Sequence, residues 1–251
     1  AAPSRVLRVA GAAAEFGLPI APGTWRKLKK GPIGDRNWTD ESRELFIRLL
    51  ASGPALLNVW EDIDFIDVPG KLIPEWLGVR NRPSASAAHR YTIDRHMVEV
   101  VTRLGRETPS GGRYDDRHYE ALLLAGILHD IGKRPGVANH AAEGARHATV
   151  VVERMGFDRD IVRWVTLLVR EHLTLSEFAT GRNPNDPNVG DDLAGRLDHN
   201  PVLLDMLFDL TRADGSSLGA TSGGTVSKQY GGGKWRETLV RTMYNATRYH
   251  M

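Results

Sequence analysis

Cysteine is absent from the 251 residues, which excludes disulfides and zinc sites built from thiolates. The absence fits a reducing compartment, so we expect a cytoplasmic protein. Apolar runs of ~20 residues, as a membrane span needs, are also lacking, and no secretory signal is visible; we expect no membrane partner. A formal net charge of +2 provides no extended basic surface and argues against a nucleic-acid partner. The one basic run, WRKLKK at 25–30, predicts a solvated helix face.

Helical periodicity runs through most of the sequence, and no segment alternates convincingly as a β-strand does. Amphipathic helices are predicted near residues 3–16, 40–52 and 54–66, with Gly-Pro punctuation between them. The motif NRPS at 81–84 then breaks the pattern, which predicts a boundary near residue 80. We therefore expect an all-α protein with a helical extension at 1–80 and a second helical domain at 81–251. The glycine-rich stretches at 223–224 and 231–233 are interpreted as flexible connections.

The most informative motif is His129-Asp130, within the run ALLLAGILHDIGK. Residues 120–131 are apolar at almost every position, which is typical of a helix buried on all sides. An imidazole and a carboxylate left there without partners would cost roughly several kcal/mol, and a bound cation would remove that cost. The dipeptide alone fits equally well a neutral histidine that is hydrogen-bonded to the aspartate in an ordinary core.

Two further histidines lie on apolar helical stripes. His96 falls within the stripe formed by residues 93–104, and the stripe through residues 161–169 ends at His172. One such histidine is more often a satisfied core residue than a ligand. Two of them, together with the His-Asp pair, favour a metal centre.

A buried aspartate is predicted on the helical segment at 201–214. A leucine stripe runs down one face of this segment to Asp214, whereas Asp205 and Asp209 fall on the other face. We therefore expect Asp214 to be the buried carboxylate and a ligand that meets the histidines.

The order of these residues resembles that of the HD superfamily of metal-dependent phosphohydrolases. The matching positions are His96, His129, Asp130 and Asp214. A closer similarity, over about residues 73–251, is to the HD domain of bifunctional uridylyltransferase/uridylyl-removing enzymes of nitrogen signalling. Its characteristic segments are HDIGKRPGVANHAAEGA, LVREHLTLSEFATGRNPNDPNV and WRETLVRTMYNATRY.

This resemblance implies an HD-domain helical bundle that hydrolyses a nucleotide, UMP or AMP, from a tyrosine of the PII signalling protein. One or two divalent ions are expected, Mn²⁺ or Mg²⁺ with Fe²⁺ as an alternative, because these metals suit imidazole and carboxylate ligands. The family attaches the nucleotide with a separate domain that needs a Gly-Ser turn and a following Asp-x-Asp, which the sequence lacks. Together with the missing initiator Met and small-molecule-binding domains, this indicates a central piece of a longer chain, joined to nucleotidyltransferase and regulatory domains.

Within the resemblance, Asp130 would bridge two ions if His140 and His172 complete a second position. His147, two turns beyond His140 on much the same face, is the rival of His140. Lys133 would either contact a phosphoryl oxygen during catalysis or cap the preceding helix.

The resemblance also places Arg182 near the substrate opening, although surface solvation explains it almost as well. The remaining histidines have no matching stripe and are expected to be surface or capping residues: His89, His118, His199 and His250. Three other classes stay open: a phosphodiesterase for free nucleotides, a metal- or nucleotide-binding sensor that turns nothing over, and a helical connector.

Overall fold

The computed structural model describes residues 3–85, 89–218 and 233–251. The first helices are α1 (Ser4–Phe16), α2 (Pro22–Lys30), α3 (Asp40–Leu50), α4 (Ala55–Phe65) and α5 (Val68–Leu72), followed by a 3₁₀ turn at Pro74–Gly78. The next are α6 (Ile93–Glu107), α7 (Asp116–Leu128), α8 (His140–Arg154) and α9 (Arg159–Arg170). The last are α10 (Thr174–Gly181), α11 (Pro187–Arg196), α12 (Pro201–Ser216) and α13 (Gly233–Arg248).

The all-α prediction is confirmed, since the described residues contain no β-strand and only an isolated bridge between Pro83 and Thr92. The three amphipathic helices predicted in the first third correspond to α1, α3 and α4. In the described residues, no helix combines the length and the apolar character that a bilayer crossing requires. Of the glycine-rich stretches, residues 223–224 and 231–232 lie outside the described residues, and Gly233 begins α13.

The basic run lies on α2, where only Leu28 is buried. Its lysines point to solvent, as the charge pattern predicts. Three basic residues in the last turn of this helix also lie at the negative end of its dipole, which stabilises the helix end.

Helix α7 occupies the centre of the fold. Asp115 caps its start, because the Asp115 carboxylate accepts the backbone N–H of His118 at 2.9 Å. From Ala121 to Leu128 every side chain is buried, and α6, α9 and α12 pack around it. The prediction of a helix buried on all sides is confirmed. A helix so enclosed places the residue that follows it, His129, inside the protein.

A single cluster of buried apolar side chains includes residues on both sides of position 80. Polar contacts join the same two parts: Arg154 forms a bidentate pair with Glu75, at 2.8 and 2.7 Å, and Arg134 donates to the Glu75 carbonyl at 2.6 Å. The boundary near residue 80 stays a prediction about chain organisation. The packing shows that the extension is held against α8 and the segment after α7.

The expectation for the aspartates of α12 is wrong in one respect. The side chain of Asp209 is only 10% exposed, whereas that of Asp214 is 21% exposed. The outer face of α12 is covered because α13 packs along it and Tyr114 donates its hydroxyl proton to Asp209 at 2.5 Å. Asp205 is partly covered in the same way, accepting from Tyr244 at 2.6 Å.

Candidate metal centre

Five helices bring six polar side chains to one interior point. His96 lies on α6, His129 and Asp130 directly follow α7, and Asp214 lies near the end of α12. His140 begins α8, and His172 comes just after α9. Their ligand atoms form two groups, each within 4.8 Å, of which the first is His96, His129 and Asp214 and the second is Asp130, His140 and His172.

In the first group, His96 is the residue closest to the carboxylate. Its Nε2 lies 2.8 Å from Oδ1 of Asp214, and Nε2 of His129 lies 3.7 Å from the same oxygen. These spacings place three potential ligand atoms around one small volume. Metal–ligand distances are shorter, about 2.0–2.2 Å, so an ion would sit between these atoms.

Asp130 connects the two groups. Its Oδ2 faces the first group, 3.5 Å from Nε2 of His129 and 3.9 Å from Nε2 of His96. Its Oδ1 faces the second group, 3.4 Å from Nε2 of His172 and 3.7 Å from Nε2 of His140. One carboxylate therefore presents a separate oxygen to each group, which is the geometry of a bridging ligand.

Backbone carbonyls hold the histidine rings in the orientation a ligand needs. Nδ1 of His129 donates to the Gly126 carbonyl at 2.8 Å, and Nδ1 of His172 donates to the Val169 carbonyl at 2.7 Å. Each bond fixes the proton on Nδ1, so the lone pair of Nε2 is left pointing into the centre. His96 is held by the equivalent contact, from Nδ1 to the carbonyl of Ser217 at 3.1 Å.

Several atoms of the centre are buried without a hydrogen-bond partner. They are Nε2 of His129, His140 and His172 together with Oδ1 of Asp130. Buried polar atoms are normally paired, since each unpaired one costs roughly 1–3 kcal/mol. Four such atoms facing one another fit a cation, because a metal ion would satisfy all of them at once. The donor set, imidazole with carboxylate and no thiolate, fits a hard or borderline divalent ion.

The protonation states also suit metal binding. Complete burial, only partly opposed by the nearby Asp130, lowers the pKa of His129 to about 4, so its ring is neutral at physiological pH. Burial works against the charge of Asp130, but His129, His172 and Lys133 outweigh it and hold the pKa of that carboxyl well below its usual range. His129 and Asp130 can therefore bind a metal without first releasing a proton, whereas nearby carboxylates raise the pKa of His96 and His172.

Two glycines explain how the segment after α7 reaches α8. A Cβ on Gly132 would lie 2.1 Å from the carbonyl oxygen of His140 and 2.3 Å from the amide nitrogen of Gly144. Only a residue without a side chain permits this approach, so the glycine of HDIGK brings the backbone of Asp130 next to the start of α8. This contact places His140, the first residue of α8, beside Asp130.

His147, the rival of His140, does not join either group. Its Nε2 instead lies 2.9 Å from Glu143 on its own helix. Lys133 adjoins the centre, with Nζ 2.8 Å from Oδ2 of Asp130. Arg182 lies apart from the two groups: its guanidinium pairs with Asp192 at 2.8 Å and stacks over the ring of Phe178.

Reasoning from the sequence missed His89, and the expectation that it is a surface or capping residue is wrong. Its ring is half-buried and packs edge-on against His96, with 5.0 Å between the ring centres. His89 belongs to an irregular segment before α6, where no helical periodicity marks an inward position. The only available signal was its short distance in sequence from His96.

No protein-family model matches the chain. It is 35% identical over 218 residues to the bifunctional uridylyltransferase/uridylyl-removing enzyme of Mycobacterium tuberculosis, an alignment that covers 86% of this chain and 26% of that enzyme. The enzyme of the same description from Streptomyces coelicolor is 35% identical over 241 residues, covering 95% of this chain and 27% of the relative. The enzyme of this description from Corynebacterium glutamicum is 31% identical over 220 residues, an alignment that covers 86% of this chain and 30% of that enzyme.

The chain thus spans less than a third of the length of the relatives it matches. The alignments include most of the residues that form the metal centre, because they cover at least 86% of the chain in each of these three enzymes. The chain is therefore homologous to one part of the bifunctional uridylyltransferase/uridylyl-removing enzymes, the part that these alignments cover.

Proposed function

We propose that this chain is a metal-dependent phosphodiester hydrolase of the HD type that removes a uridylyl group from a tyrosine of the PII signalling protein. The relatives' name includes uridylyl removal, which favours UMP over AMP as the group released. The observation that carries the proposal is the position of Asp130, whose two carboxylate oxygens face separate groups, each with at least one buried histidine nitrogen that has no hydrogen-bond partner.

The proposed ligands are His96, His129, Asp130 and Asp214 for one ion and Asp130, His140 and His172 for a second. Mn²⁺ or Mg²⁺, with Fe²⁺ as an alternative, suits this donor set. A divalent ion bound there would supply an activated water near neutral pH and would offset the charge of the phosphoryl oxygens. This addresses the main obstacle to hydrolysis, because a phosphodiester anion repels hydroxide.

The protein's own residues orient the reactants. Lys133 is held beside the centre by Asp130 and keeps 21% of its side chain exposed, so its ammonium can bind a phosphoryl oxygen that enters from solvent. A tyrosinate leaving group has a pKa near 10 and departs with little help from a proton donor. We therefore assign Asp130 and Lys133 the catalytic roles and leave the general acid unassigned. Arg182 is proposed to contact the protein substrate.

Nucleotide attachment and its regulation are proposed to reside in other domains of a longer enzyme. The fraction of the relatives' length that the chain spans leaves room for such domains in them. In this arrangement the HD domain performs only the removal reaction.

The test is to incubate the purified chain with uridylylated and, separately, adenylylated PII protein, with Mn²⁺ or Mg²⁺, and to follow the mass of the PII subunit. We expect loss of one UMP mass, no loss in the presence of a chelator, and no loss with Asp130→Ala. His147→Ala is the matched control, since this histidine lies outside both groups, and its rate should equal that of the unmodified chain.

Different results separate the alternatives. Unchanged turnover by Asp130→Ala would contradict the mechanism. Bound metal without hydrolysis of any nucleotidylated substrate would instead indicate a sensor, and hydrolysis of free nucleotides alone would indicate the phosphodiesterase. Absence of metal binding would leave the helical connector as the remaining interpretation.

A further inference from the structure

His89 packs against a ligand of the proposed metal centre and is itself partly exposed to solvent. Its ring lies edge-on to His96, at an interplanar angle of 88° and 5.0 Å between ring centres. Burial lowers the pKa of His89. The charges of Lys133 and His96 lower this pKa further, whereas those of Asp130 and Asp214 raise it. All four of these groups belong to the centre or adjoin it. The electrostatic surroundings of His89 are therefore those of the site and not of the outer surface.

Backbone hydrogen bonds fix the segment that carries His89. The N–H of Arg90 donates to the carbonyl of Leu218 at 3.0 Å, just after the end of α12. The N–H of Ile93 donates to the carbonyl of Arg82 at 2.9 Å, next to the bridge between Pro83 and Thr92. The segment is thus anchored to the end of the helix that carries Asp214. The backbone next to His89 is therefore in place before a substrate arrives.

His89 also differs from the other histidines in what its ring nitrogens contact. Of the nine histidines, seven have a ring nitrogen in a hydrogen bond. The other two are His140, whose buried Nε2 lies in the second metal group, and His89. Within the described parts of the chain, His89 has no hydrogen-bond partner and belongs to neither metal group. Its N–H is therefore free for a ligand that enters from solvent.

From this placement we infer that His89 is a catalytic residue that binds substrate, its imidazole N–H donating to a non-bridging phosphoryl oxygen of the phosphodiester. The inference rests on the proposed function and adds a residue to it. A phosphodiester has two non-bridging oxygens, and Lys133 supplies one donor beside the centre. His89 supplies a second, and a neutral imidazole suffices because it always carries one N–H. Two donors hold the phosphorus in one orientation relative to Asp130.

The experiment uses UMP, the product of the proposed reaction, as the probe. The Mn²⁺-loaded chain and its variants His89→Ala, His89→Gln and His89→Asn are titrated with UMP by calorimetry, and their metal content is measured in parallel. We expect His89→Ala to bind UMP about tenfold more weakly or worse, as for loss of a hydrogen bond to a charged oxygen, with metal content unchanged. At least one amide variant should recover part of the affinity, because Gln and Asn retain an N–H donor.

His118→Ala is the matched control, because His118 packs on Trp164 and pairs with Asp115 at the start of α7. Its affinity for UMP should equal that of the unmodified chain. Equal UMP binding by His89→Ala and the unmodified chain would overturn the inference, as would loss of bound metal in all three His89 variants. Failure of the unmodified chain to bind UMP would also overturn it.

Kinetics with uridylylated PII distinguish the two proposals. If the unmodified chain hydrolyses the substrate and Asp130→Ala does not, while His89→Ala is unimpaired in both kcat and KM, only the inference about His89 fails. If UMP affinity depends on His89 but the unmodified chain releases no UMP from PII, the proposed reaction fails and the phosphoryl contact stands.

Discussion

Oδ1 of Asp130 lies 3.4 Å from Nε2 of His172, and both side chains are buried. The second oxygen of the same carboxylate lies 3.5 Å from Nε2 of His129. Two histidines that follow different helices are therefore connected through one aspartate. This relationship makes Asp130 the residue whose change should affect both metal positions at once.

Asp130→Asn keeps the shape of the side chain but replaces one oxygen by an amide and removes the charge. Loss of a residue that is only hydrogen-bonded to a metal ligand lowers metal affinity by roughly 10–100-fold. We expect a larger fall here, because the asparagine side chain would present only one oxygen and no charge to the two groups. Metal content after dialysis at fixed free Mn²⁺ measures this. Asp209→Asn is the control, since this buried aspartate lies outside both groups and should leave metal content unchanged.

Gly132→Ala should disturb the site through the backbone. The added methyl would overlap the carbonyl of His140 and the amide of Gly144, and neither can move without shifting the start of α8. We expect a loss of about 1–3 kcal/mol in the free energy of unfolding and weaker metal binding. Urea denaturation and metal titration measure the two effects.

Gly11→Ala provides the comparison, because a Cβ there meets nothing within 4 Å and the residue lies within α1. That variant should be as stable as the unmodified chain or more stable by about 0.5–1 kcal/mol. Equal stability of the two alanine variants would contradict the packing argument for Gly132.

The metal-free chain should lose stability through His129 as the pH falls. Burial lowers the pKa of His129 from 6.5 to about 4 in the folded state, so between these values the unfolded chain binds more protons than the folded chain. The free energy of unfolding therefore falls with decreasing pH in this window, by up to about 1.4 kcal/mol per pH unit. The contribution of His129 is complete above pH 6.5.

His96 and His172 act in the opposite direction. Burial disfavours their charged forms, but the carboxylates of Asp214, beside His96, and Asp130, beside His172, raise the pKa of both. Comparison with His129→Gln isolates the effect of His129, because the variant keeps the other two histidines. Urea unfolding between pH 7 and 4.5 should show that the free energy of unfolding falls more steeply with decreasing pH for the unmodified chain than for His129→Gln. Parallel curves would contradict a neutral buried His129.

Tyr114→Phe should destabilise the protein without affecting the metal. The Tyr114 hydroxyl donates to the buried Asp209 at 2.5 Å, and burial raises the pKa of that carboxyl. Without the donor, Asp209 loses a partner inside the protein, which should cost about 1–3 kcal/mol in thermal or urea unfolding. Tyr249→Phe, at a position 91% exposed, should show no change. A loss of metal content in Tyr114→Phe would show that this cluster and the centre are coupled.

Helical periodicity accounts for what could be predicted of the site. His96 and His172 were found because their neighbours form apolar stripes, and the structure buries both residues where those stripes pack. His129 was found because α7 is apolar on every side, so the residue after it has no access to water. In each case a local pattern determines which way the side chain faces.

Contacts between distant segments account for the rest. The burial of Asp209 was not predicted because the residues that cover its face, from α13 and the segment before α7, lie far from it in sequence. His140 and His147 share a helical face, and the approach of Gly132 to the start of α8 selects His140. His89 lies on an irregular segment whose path depends on the end of α12. No periodicity within one segment could show these relationships.

The assignment of Arg182 to substrate binding stays a prediction, and its present contacts define the test. Arg182 pairs with Asp192 at 2.8 Å and lies 3.8 Å over the ring of Phe178, with 42% of its side chain exposed. We expect Arg182→Ala to raise KM for uridylylated PII severalfold, because the lost guanidinium contacts the protein substrate, while metal content and kcat change little.

Asp192→Ala is the informative partner variant. It removes the ion pair but leaves the guanidinium over Phe178, so KM should stay near that of the unmodified chain if Arg182 acts on the substrate. If the arginine only helps to fold this region, both variants should lower the stability by a similar small amount, within about 1 kcal/mol for an exposed pair, and neither should change KM. Steady-state kinetics together with urea unfolding of the two variants decide between these roles.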